Sequence, residues 1–236
     1  MVKLFACTIL LVILAYSSNT SATNIEGGVP TTFQAHPYLV SIQGKDGPPV
    51  ICGGALINEK TVVTAAQCLA FYDVSQLAVG VNNGERIVEI AAQSFNPQFD
   101  FVTMENDVAV LKLAESVESG FIELASKVPV NGASGMVTGW AENNSLVDVA
   151  VRTINAEECG SGDYKYSEDE VLKTMLCGLA SNLQACNGQP GAPLVVNNQL
   201  VGLVSWGYGC GNKGNPAVFT NIASERSWII ETANKL

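Results

Sequence analysis

Few residue types in this 236-residue chain can do chemistry. It has one histidine, His36, within QAHPYLV, and seven cysteines. Cys7 lies in an apolar leader, which leaves Cys52, Cys68, Cys159, Cys177, Cys186 and Cys210. A zinc site needs closely spaced thiolate or imidazole ligands, and these cysteines include no close pair. An even number behind a secretory leader reads instead as a disulfide framework. Pairing of neighbours (Cys52 with Cys68, Cys159 with Cys177, Cys186 with Cys210) is the simplest arrangement, although sequence alone leaves the other connectivities open. No thiol is then spare for nucleophilic attack. His36 reads as a surface or turn residue rather than a general base. No metal or cofactor is indicated.

The leader has three parts. Met1 to Lys3 is basic, LFACTILLVILAY (Leu4 to Tyr16) is apolar, and SSNTSA (Ser17 to Ala22) is small and polar. That order is a secretory signal over residues 1–22, or up to 24, and the apolar run is short for a membrane span. A secreted chain is expected. Without Lys3 the charge is 11 basic minus 22 acidic residues, or −11, which disfavours nucleic acid and anionic membrane as partners. Hydrophobic content of 47% allows a sizeable core.

Short apolar runs recur along the chain, bounded by turn residues. YLVSIQ (38–43), TVVTAA (61–66), QLAVGV (76–81), DVAVLKL (107–113), GMVTGW (135–140), APLVV (192–196), QLVGLVSW (199–206) and PAVFTNI (216–222) read as strands. GKDGPP, VNNGER, VNGASG and GNKGNP read as turns between them. This is an all-β pattern built from hairpins. SERSWIIETANKL, Ser224 to Leu236, reads as a closing helix with Ser224 as N-cap. The weakly patterned stretch from Leu113 to Val130 reads as a crossover between two halves.

Several segments together carry a resemblance. They are IEGG at Ile25, CGGALINEKTVVTAAQC (Cys52 to Cys68), ENDVAVLKL (Glu105 to Leu113), VTGWAE, ACNGQPGAPLVV (Ala185 to Val196), SWGYGC and PAVFTNI, in that order. The chain resembles the trypsin-like serine proteases over nearly all of residues 25–236. The resemblance implies two six-stranded antiparallel β-barrels with a C-terminal helix and a site between the barrels. The halves are expected at about 25–118 and 119–236, and the likeness supports the neighbour disulfide pairing.

The resemblance also shows what has changed. The family's general base falls at Gln67, an amide with no basic nitrogen. The nucleophile falls at Pro190, which has neither a hydroxyl nor a backbone N–H for the oxyanion. Gly188 keeps the other oxyanion position, and Asp107 is kept. Gln67 is expected to donate to Asp107 and so preserve a buried hydrogen bond. Gln189 replaces the Asp that pairs with the new N-terminus at Ile25, and no Lys or Arg lies between Lys3 and Lys45 for an activating cut. In the specificity pocket, Gln184 and Ala217 replace the usual residues beside Ser205 and Trp206, and Tyr208 stands at the rim. Asn143 in NNS is a glycosylation acceptor by pattern.

These departures lead to the expectation of a chain that is not an enzyme but a pseudoprotease acting by protein binding. Within the family it looks like the inactivated protease paralogues of the scabies mite, of group 3 allergen type. That likeness implies host defence proteins such as complement as partners. The alternatives are a decoy for protease inhibitors and a non-catalytic cofactor in a protease cascade. The sequence does not fix the oligomeric state. The loop AEECGSGDYKYSEDE, with Tyr164 and Tyr166, is a candidate anchor for a basic partner.

Overall fold

The computed structural model describes residues 25, 27–141, 143–181, 188–208 and 215–236. The leader, Gln184, Cys186 and Cys210 lie outside them. Strand β1 (Val29–Pro30) comes first. Then β2 (Leu39–Gly44), β3 (Gly47–Asn58), β4 (Thr61–Thr64), β5 (Leu77–Val81), β6 (Arg86–Phe95) and β7 (Ala109–Leu113) close into a barrel in the order β2-β3-β4-β7-β6-β5. Between the barrels lies only β8 (Glu123–Leu124) among the named strands. The second ring contains β9 (Ser134–Trp140), β10 (Leu146–Asn155), β11 (Met175–Ala180), β12 (Pro193–Val196), β13 (Gln199–Trp206) and β14 (Ala217–Asn221). It runs β9-β10-β11-β14-β13-β12 and returns to β9. The expected fold class, two six-stranded antiparallel barrels and a terminal helix, is the one observed.

Side-chain alternation decides which strands close. Along β10, Val147, Val149 and Val151 point into the second barrel while Ala150 and Arg152 face outward. Along β6, Val88 and Ile90 are buried while Glu89 is exposed. The polar alternate positions of these strands dilute their apolar density, so neither was among the runs read as strands.

The termini cross over. Ile25 is 2% exposed in the core of the second barrel, and β1 pairs with β10 there. Helix α2 (Ile222–Lys235) lies against β7 of the first barrel and β13 of the second. It begins three residues earlier than expected, because Asn221 rather than Ser224 is the N-cap, with its side chain accepting from Ala223 N. In its first turn, Glu225 is buried and accepts from Asn96 Nδ2 at 2.7 Å, which ties the helix to the 95–106 loop.

Two disulfides are present among the described residues, Cys52–Cys68 and Cys159–Cys177. The third expected pair, Cys186 with Cys210, lies outside those residues. No helix among the described residues is long and apolar enough to cross a membrane.

Candidate active site

Each side chain at the site is held by a different device. Gln67 sits in a single 3-10 turn, Ala66–Cys68, that follows β4. The Cys52–Cys68 bond ties that turn to β3, and a loop of this length is worth about 3 kcal/mol in the chain-entropy account. Asp107 lies two residues before β7 and follows Asn106, which adopts a positive φ of 54° that Asn tolerates. Pro190 is fixed from the opposite barrel, because its carbonyl accepts from Gly53 N at 2.9 Å. Gly191 makes that approach possible. Its φ is +77°, and a Cβ there would fall 2.3 Å from the Gly53 carbonyl and 2.4 Å from Thr64 Oγ1.

Asp107 is fully buried and its carboxylate is encircled by donors. Gln67 N donates to Oδ1 at 2.9 Å, and Gln67 Nε2 donates to Oδ2 at 2.6 Å. Ser205 Oγ donates to the same Oδ2 at 2.6 Å. The second hydrogen of Gln67 Nε2 goes to the Ser205 carbonyl at 2.9 Å, and Thr220 Oγ1 donates to the Asp107 carbonyl at 2.7 Å. Burial pushes the Asp107 carboxyl above the usual carboxylate range and outweighs the hydrogen bonds from Ser205 and Gln67. The structure thus brings Gln67, Asp107 and Ser205 into one network across the barrel interface. Residue 67 supplies that network with an amide donor, and residue 190 is a ring without a hydroxyl.

Ile25 is anchored in the second barrel. Ile25 N donates to the Trp140 carbonyl at 2.9 Å, and Trp140 N donates to Gln189 Oε1 at 3.1 Å. Gln189 is fully buried, and its neutral amide needs no counter-charge. Gly188 has φ +77° and lies against the Ile25 side chain.

Tyr208, the residue expected at the pocket rim, is half-exposed and its hydroxyl donates to Glu170 at 2.6 Å. Its ring centroid lies 5.3 Å from Tyr166 and 5.6 Å from Trp206. Tyr166 is 2% exposed and donates to the Pro216 carbonyl at 2.7 Å. The reading of Tyr166 as a surface anchor is therefore corrected: its ring fills the core behind Tyr208. Ala217 lies buried in β14, while Gln184 is outside the described residues. Asn143 is exposed in the β9–β10 turn, where its side chain accepts from Ser145 N and Oγ.

Sequence reasoning missed one constellation entirely. His36 is largely buried: its Nε2 donates to Asp148 Oδ2 at 2.9 Å, and its Nδ1 lies 3.2 Å from the Tyr38 hydroxyl. Thr138 Oγ1 donates to the other Asp148 oxygen at 2.7 Å. His36 therefore pins the amino-terminal segment to β10, where an exposed turn residue was expected. No local signal pointed to Asp148, which lies 112 residues away. Among the described residues, no group of three or more His, Cys, Asp or Glu could hold a metal.

The trypsin family profile matches residues 25–229, a span that includes every position discussed above. Trypsin theta of Drosophila erecta is 40% identical over 230 residues, covering 90% of this chain and 87% of that protein. A trypsin of Sarcophaga bullata is also 40% identical and covers 90% of each chain. Trypsin iota of Drosophila melanogaster is 34% identical, over 98% of this chain and 97% of that one. These relatives overturn the expectation of a chain that is not an enzyme. That expectation rested on the residue types at a few positions, whereas proteins alike over nine tenths of the chain carry the name trypsin. The class they support is trypsin-like serine protease, with Gln67 and Pro190 as departures inside it. The chain belongs to the trypsin family.

Proposed function

We propose that this trypsin-family chain is secreted and works by holding a protein partner on its surface. The observation that carries the reading is the cleft floor. There, both hydrogens of Gln67 Nε2 are committed, one to Asp107 and one to the Ser205 carbonyl, in a network closed on itself. The rim supports it too, since Tyr208 is braced by Glu170, Tyr166 and Trp206. An acidic mature chain favours a partner with basic surface.

The partner class follows from the likeness to the inactivated mite paralogues: host defence proteins, complement components among them. The test is surface plasmon resonance of the recombinant mature chain against purified complement proteins, taken one at a time. A saturable, salt-sensitive isotherm with one of them is expected. Absence of binding to all of them would overturn the complement reading. A second reading, capture of protease inhibitors through the cleft, is separated by titration with substrate-mimicking inhibitors. The braced Tyr208 predicts weak binding in that arm.

A further inference from the structure

An exposed aromatic surface is built from residues that make none of the contacts described above. Phe71 is 75% exposed, Phe101 46% and Val102 92%. Tyr72, next in the chain, is also exposed. Phe71 meets Phe101 edge-on with ring centroids 5.2 Å apart, and Phe101 meets Phe99 at 6.1 Å. Phe99 is partly buried and packs against the core of the first barrel. The patch is thus a fixed platform that joins two loops.

Its electrostatics are one-sided. No Lys, Arg or His occurs between Lys60 and Arg86, or between Arg86 and Lys112, and these stretches supply the whole patch. Two carboxylates flank it and are held in place by backbone donors. Asp100 Oδ1 accepts from Val102 N at 2.7 Å and Thr103 N at 3.1 Å. Asp73 caps the turn after Phe71 and Tyr72 by accepting from Ser75 N at 2.8 Å. Exposed aromatic rings offer their faces to cations, and rigid aromatic groups form the anchors of protein interfaces. Carboxylates at the edge add steering and select against acidic partners.

We propose that the Phe71–Phe101 platform, rimmed by Asp73 and Asp100, docks a basic segment of a partner protein through its Arg or Lys side chains. This rests on the protein-binding reading above and names the surface and the chemistry of the partner.

The test is calorimetric titration of the mature chain with an amidated RLRLR peptide, beside an ELELE control. RLRLR is expected to bind, with affinity falling as salt rises. Phe71→Ser with Phe101→Ser should weaken it about tenfold or more, the loss of one anchor contact. Asp73→Asn with Asp100→Asn should weaken it several-fold and flatten the salt dependence. Asn keeps the side-chain oxygen that accepts from the backbone in both turns, so the melting temperature should hold. The proposal is overturned if RLRLR does not bind, if ELELE binds equally well, or if both variant pairs leave the affinity unchanged. Failure here with a complement protein still bound would remove this surface and leave the protein-binding reading standing.

Discussion

Two carboxylates, one in the cleft and one under the amino-terminal segment, accept similar side-chain hydrogen bonds and behave in opposite ways. Asp107 accepts from a side-chain nitrogen at 2.6 Å and a hydroxyl at 2.6 Å. Asp148 accepts from a side-chain nitrogen at 2.9 Å and a hydroxyl at 2.7 Å. Two things differ: Asp107 is fully buried while Asp148 is only partly so, and the nitrogen is an amide in one case and an imidazole in the other. Burial pushes both carboxyls up. At Asp107 burial wins, and the carboxyl lies above the usual range. At Asp148 the hydrogen bonds from His36 and Thr138, with the charge of His36, outweigh burial and leave it below that range. The neighbouring Tyr38 hydroxyl is pushed up to about 12 by burial and by the Asp148 charge. Hydrogen bonds do not offset complete burial at Asp107, whereas at the partly buried Asp148 hydrogen bonds, joined by a partner able to carry charge, do.

The comparison can be broken most severely at Asp107. Asp107→Asn turns an acceptor towards the donors of Gln67 and Ser205 into a further donor. Calorimetry at pH 7 should show a loss of about 1–3 kcal/mol, the cost of leaving buried polar groups unpaired. An unchanged melting temperature would mean that the network contributes nothing to the fold. Next in size is Gln67→His, which gives Asp107 the kind of partner Asp148 has. A carboxyl whose folded pKa is raised loses stability as pH rises through the interval between its unfolded and folded values. One whose folded pKa is depressed has its full contribution above the unfolded value and loses it as pH falls through the folded one. Gln67→His should therefore convert the Asp107 contribution from the first behaviour to the second, as read from urea unfolding across mildly acidic pH.

The smaller perturbation is His36→Gln, which makes the strap resemble the cleft. Asp148 is only partly buried, so solvent screening limits the loss to about 1 kcal/mol or less. Its signature is a weaker decline in stability on acidification. The smallest effect is expected at the rim, where Tyr208→Phe removes an exposed bond to Glu170. The melting temperature should not move, while the Tyr166 and Trp206 ring resonances should shift in the NMR spectrum.

Much of this was readable from residues. The ordered segments from Ile25 to Ile222 specify the barrels, because each carries a strand or turn with few other places to go. The Gln67–Asp107 contact was readable as chemistry, since a side-chain amide and a carboxylate at those positions can pair. What escaped reading depends on distant partners. His36 has an ordinary turn sequence around it, and only barrel closure brings Asp148 to it. Tyr166 sits in an acidic, polar stretch, and its burial comes from Pro216 and Trp206 across the second barrel. Helix α2 starts early because Asn221, the last residue of β14, doubles as its cap.

The most direct measurement is a carbon-detected NMR titration of the Asp107 carboxyl in the mature chain. An uncharged Gln67 partner in a buried site requires its midpoint to lie above that of an exposed aspartate. A midpoint at or below the exposed value would show that the hydrogen bonds from Gln67 and Ser205 outweigh burial at the cleft floor, and would contradict the account.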